Sequence, residues 1–157
     1  MMRLTVTTIA LTLLVTAIAG DDNNSVPLVV LDSADYGDTN FLMRIEEIKR
    51  NPKTSVLKMT YKKMGSSVGS SMFIMRGFYE VAKSRSNEYF INLKEWDAED
   101  GGRLYIGGFT DKQNADIHSE FGSEFALTNE YGQARIFMSV SQCNLLWGRQ
   151  EMNHRTN

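Results

Sequence analysis

Between Gly65 and Ser71 the chain reads Gly-Ser-Ser-Val-Gly-Ser-Ser. Glycines and serines ahead of an apolar-periodic stretch present backbone N–H groups and hydroxyls at a helix start. The helix dipole favours an anion in such a place. The candidate ligand contacts are Ser66, Ser67, Gly69 and Ser70, with Arg76 on the polar face of the following helix as the cation. No Lys-Ser/Thr pair follows the second glycine, so the loop is not a nucleotide P-loop. A second candidate surrounds Gly107-Gly108, a glycine pair inside a strand pattern. Such a pair marks a bulge or a close backbone approach. The nearby rings of Trp96, Tyr105 and Phe109 are read as lining a shallow groove for a ligand or partner.

Other chemistries find less support. His118 has Asp116 and Glu120 close in sequence, but the three make no metal-ligand spacing. A surface histidine near a helix end is the simpler reading. Asp97, Glu99 and Asp100 fail as a calcium loop, because Gly108 stands where the twelfth-position glutamate belongs. Met43, Met59, Met64, Met72 and Met75 raise the question of copper carriage by thioether sulfur. Their apolar-face spacing, with Met72 and Met75 on the helix and Met59 on a strand, reads as core packing. The sequence therefore assigns no catalytic residue, no metal ligand and no cofactor. Cys143 is the sole cysteine, so an internal disulfide is impossible. It is read first as a buried small hydrophobe, with a homodimer through Cys143 as the alternative.

The elements that must hold these residues alternate between strand and helix periodicity. Pro27–Leu31 is short and apolar, either a strand or a segment packed on the core, and a turn-rich stretch follows from Asp32 to Asn40. Phe41, Leu42, Ile45 and Ile48 fit a helical face, whereas Phe41, Met43 and Ile45 alternate. The turn Asn51-Pro52-Lys53-Thr54 joins this segment to a clean strand over Val56–Lys62, which favours strand for 41–49. Leu57, Met59 and Tyr61 share one face of that second strand. The best helix spans about 71–84, capped by Ser70 or Ser71. Arg76, Glu80 and Lys83 lie on its polar face, and Gly77 inside it implies close approach to a sheet. Strands follow at Glu88–Trp96 and Arg103–Phe109, the latter with Leu104 and Ile106 inward. The acidic turn 97–102 joins them. Thr110 and Gln113 form a capping box for a short helix over 111–121, which Gly122 closes. Ala134–Val140 is the last strand, and Leu145, Leu146 and Trp147 complete the core. The predicted class is α+β: a mainly antiparallel sheet of four or five strands, with the 71–84 helix packed on one face.

Residues 1–19 carry the signature of an export signal: Arg3, an apolar run from Leu4 to Thr16, and Ala17-Ile18-Ala19 before the cut. An uncleaved anchor is the alternative, although the run is short of the roughly 20 residues a span needs. A single globular domain over 20–148 and a polar tail over 149–157 follow. The whole chain has 17 basic and 19 acidic side chains, a net charge of −2, and cleavage removes Arg3 alone among them. No clustered basic excess suits a nucleic-acid groove.

The strand Val56–Tyr61, the helix Met72–Lys83 and the following Glu88-Tyr89-Phe90-Ile91 resemble the strand–helix–strand unit of small exported bacterial envelope proteins of uncharacterised families. The resemblance implies an envelope setting and carries no catalytic residue. The function expected is that of a periplasmic or secreted, non-enzymatic protein binding a small ligand or a protein partner. A small hydrolase using His118 or the acidic turn residues is one alternative. A disulfide-linked dimeric structural protein is the other.

Overall fold

A computed structural model describes residues 28–36, 42–63 and 66–154. The proposed signal segment 1–19, Pro27, the Gly37–Asn40 part of the turn-rich stretch, Phe41, Met64 and Gly65 lie outside the described residues. Three strands open the fold: β1 (Val30–Asp32), β2 (Leu42–Arg50) and β3 (Thr54–Lys63). A 3₁₀ turn, Ser33–Tyr36, follows β1. In β2, Met43, Ile45 and Glu47 point inward while Arg44 and Glu46 point out, so the strand reading of this segment holds. The helix α1 (Ser67–Ser84) then carries the chain across the sheet to the hairpin of β4 (Tyr89–Asp97) and β5 (Arg103–Thr110). Short α2 (Ile117–Phe121), two-residue β6 (Met138–Ser139) and α3 (Val140–His154) complete it.

All strand pairs are antiparallel, in the order β1-β2-β3-β5-β4-β6. The class is α+β as predicted, with six described strands rather than four or five. The additional strand is β1, a three-residue edge too short to show periodicity, and β6 is the two-residue remnant of the last strand expected.

The main core lies between the sheet and α1. Leu57, Met59, Phe90, Tyr105 and Phe109 meet Phe73, Phe78 and Tyr79 there. Phe78 packs edge-on to Tyr105 and parallel to Phe90, the offset geometries aromatic pairs prefer. α3 closes the far side with Cys143 and Trp147, whose ring lies 5.2 Å from that of Tyr79. A second cluster forms on the opposite face of the β4–β5 hairpin, where Ile91 and Leu93 meet Ile117 and Phe125. Strand alternation lets β4 serve both clusters, with Phe90 on one face and Ile91 and Leu93 on the other.

Gly77 lets α1 approach β2 closely, as its place in the helix implied: an added Cβ would lie 2.8 Å from Ile45 Cδ1. Gly107 and Gly108 are also close approaches. The first faces Phe78 and the second faces Phe121, and the bulge itself falls on β4.

Several expectations are corrected. α1 begins at Ser67, and its cap is Ser66, whose Oγ accepts from Gly69 N–H at 3.1 Å. The Gly/Ser run is therefore mostly first turn rather than loop. The helix expected over 111–121 is confined to α2, because Asp116 takes the capping role by accepting from Ser119 N–H. Most of the strand expected over 134–140 is irregular. It shrinks to β6, and Val140 already opens α3, which runs on through Gly148 into the expected tail. Leu145 and Leu146 face outward on α3, since its inward stripe is Cys143 and Trp147, four apart. Leu104 and Ile106 turn away from α1, and Tyr105 is the inward residue of β5. Met72 is exposed, one position round the helix from buried Phe73.

α1 is held firmly at its C-terminal end. Arg85 caps it and donates to Ser55 Oγ, to Asn51 O and to Pro52 O, at 3.1, 2.9 and 2.5 Å. Arg50 reaches Ser84 Oγ at 2.9 Å while pairing with the buried Glu47 carboxylate. Burial would raise the Glu47 carboxyl. Hydrogen bonds from Arg50, Ser55 and the Val29 N–H prevail and hold it below its ordinary value.

Candidate functional site

At the other end of α1 the helix and the sheet diverge around a cleft of about 540 Å³. That volume falls within the range of small-molecule sites. The helix contributes Ser70, Ser71 and Ile74, three residues on adjoining faces of its first turns. Met59 and Tyr61 come from β3 and Tyr105 from β5. Antiparallel pairing sets Met59 opposite Arg103 and Arg103 opposite Asp97. The inward face of the sheet thus ends in an apolar and aromatic floor with charges at the rim.

The rim is the β4–β5 turn. Gly101 adopts φ +84°, a left-handed conformation that suits glycine. Its N–H donates to Ala98 O, and Ala98 N–H donates to Gly102 O. Gly102 then passes so close to β3 that an added Cβ would lie 2.4 Å from Met59 O. Lys58 pairs with Asp100 outside the turn.

Two buried polar atoms of this cleft, Ser70 Oγ and Arg103 Nε, make no hydrogen bond among the described residues. Ser70 itself is 9% exposed. Leaving a buried hydroxyl unsatisfied costs about 1–3 kcal/mol. Beneath it, burial pushes the Tyr105 hydroxyl up to about 12, so it remains a neutral phenol across the physiological range. Arg103 Nε lies 3.3 Å from Asp97 Oδ1, and its Nη2 lies 3.9 Å from Glu95 Oε1.

Of the eight residues read as contacts from sequence, the fold brings Ser70 and Tyr105 into this cleft. Ser66 and Gly69 are consumed by the cap, and Ser67 is the first residue of α1. Arg76 is corrected: it is 5% exposed, with its guanidinium carbon 3.5 Å from the centre of the Tyr36 ring rather than on a polar face. Cation–π contact and burial of its stem hold it there. The groove expected between Trp96 and Phe109 does not form. Phe109 and Tyr105 enter the main core, while Trp96 pairs with Leu104 on the sheet's other face, with Lys94 Nζ 5.6 Å from its ring. Met59, Tyr61, Ile74 and Arg103 were missed. Their convergence depends on β3–β5 register, for which no local pattern in the sequence stands.

The remaining candidates sit apart. His118 Nε2 lies 3.0 Å from Phe125 O, and its neighbour Asp116 is used as a cap. Cys143 is buried in the main core, and burial raises its thiol pKa. Among the described residues, no three His, Cys, Asp or Glu side chains converge as a metal site. No described helix is long and apolar enough to cross a membrane. Comparison with protein-family models, with curated proteins and with solved structures finds no match.

Proposed function

We propose that this is an exported, non-enzymatic protein that binds a small amphipathic ligand in the cleft between the first turns of α1 and the β4–β5 turn. The observation that carries the reading is the buried Ser70 hydroxyl, without a hydrogen-bond partner among the described residues, beside an apolar and aromatic floor. A fold keeps such a group at a cost in stability when a ligand supplies the missing partner. The export half rests on Arg3, the apolar run and Ala17-Ile18-Ala19.

The test is native mass spectrometry of protein recovered from its export compartment, alongside thermal unfolding of Ser70→Ala. The expected species begins at Gly20 and retains a small molecule that Ser70→Ala loses. Without ligand, Ser70→Ala is expected to be more stable, by up to about 1–3 kcal/mol, because it removes an unsatisfied group. A destabilised Ser70→Ala variant would mean that the hydroxyl serves the fold, and the binding reading would lose its support.

A further inference from the structure

The geometry points to a neutral aromatic molecule with one hydrogen-bonding group as the ligand class of the α1 cleft. This rests on the binding reading above and goes further by committing to charge and shape.

Charge is decided at the rim. Arg103 is the cation lining the cleft, and it is already flanked by Asp97 at 3.3 Å and Glu95 at 3.9 Å. Its Nε is buried with no hydrogen-bond partner among the described residues and can donate to a neutral acceptor, whereas an entering carboxylate or phosphate also meets the two carboxylates that flank the guanidinium. A cationic ligand fares little better, since the Asp97 side chain is 87% exposed and its field is screened by water. Away from Arg103 and Asp97 the lining offers a charged group no counter-charge, only the hydroxyls of Ser70, Ser71, Tyr61 and Tyr105. Moving an unpaired charge onto such a floor costs its hydration without return.

Shape is decided by the floor itself. Met59 and Tyr61 alternate on the inward face of β3, and Tyr105 lies beside them on β5. Two phenol rings and a thioether favour a ring, through offset or edge-to-face contacts and through sulfur at a ring edge. Ile74 covers the ring from α1. The ligand's polar group then meets the Ser70 hydroxyl, which both donates and accepts.

The experiment uses the whole chain in NMR titrations with five probes: phenol, benzamide, benzoate, benzylammonium and cyclohexanol. Shift changes at the Met59 and Ile74 methyls locate the binding. Phenol or benzamide is expected to bind at least tenfold more tightly than either charged probe and than cyclohexanol. Ser70→Ala is expected to weaken the preferred probe at least fivefold. Benzoate or benzylammonium binding equally well at the same methyls would overturn the charge assignment, and cyclohexanol matching phenol would overturn the aromatic one. Either result leaves the cleft a binding site. Failure of all five probes to move those methyls would overturn both this inference and the binding reading.

Discussion

Glu120 gathers three partners on one carboxylate. Lys112 Nζ lies 2.7 Å from Oε2, while Lys53 Nζ and Thr110 Oγ1 each lie 3.0 Å from Oε1. Lys112 first and then Lys53 hold its carboxyl at about 2, against an ordinary 4.5. Folding lowers this pKa, so the stabilisation is complete above about pH 4.5 and is lost as pH falls toward 2. Glu120→Gln is expected to be less stable than the parent at pH 7, with the gap narrowing between pH 4 and pH 2.5. Urea midpoints across that range check it, and a gap independent of pH would refute it. Little of this was legible in the sequence. Glu120 stood there only as a neighbour of His118, because its lysines arrive from the β2–β3 turn and from the chain after β5. Arg76 misled for a related reason: helical spacing put it with Glu80 and Lys83, and only the fold brings Tyr36 over it.

At the scale of elements, glycines separate approaches the structure can relax from one it cannot. At Gly77 the obstacles to a side chain are Ile45 Cδ1 at 2.8 Å and Cγ2 at 3.0 Å, side-chain atoms that must give by a few tenths of an ångström. At Gly102 the obstacle is the backbone carbonyl of Met59. Gly77→Ala sets a helix-propensity gain of about 1 kcal/mol against repacking of one side chain, so a change within about 1 kcal/mol of zero is expected. Gly102→Ala must shift β3 or β5 and is expected to cost roughly 1–3 kcal/mol. Denaturant midpoints of the two variants test this ranking, and equal effects would contradict it. The elements themselves were read well wherever period and length agreed, as in β3, β4, β5 and the body of α1. The ends failed where two side chains competed for one role. Ser66 rather than Ser70 caps α1, and Asp116 rather than Thr110 starts α2. The chain before α3 failed because its apolar residues alternate without pairing.

At the scale of the molecule, Cys143 sits 1% exposed in the core shared by α1, α3 and the sheet. A thiol reagent therefore reaches it only when that core opens. Native protein at pH 8 is expected to react far more slowly than denatured protein, which should release one equivalent. Comparable rates would place Cys143 outside the core. A covalent dimer through Cys143 requires the same opening. The class of the fold was legible because antiparallel strands and an amphipathic helix announce themselves locally. The cleft was not, because it exists where β3 meets β5, and that pairing joins residues far apart in the chain. The last turn of α1 is anchored to the sheet. Arg85 and Ser84 fasten its last turn to the β2–β3 turn, whereas Val68 in its first turn is 71% exposed. Ser70 lies fourteen residues from Ser84, about 20 Å along the helix at 1.5 Å per residue. Over an arm of that length, a guest that shifts Ser70 by about 1 Å tilts the helix about its anchored last turn by only about 3°.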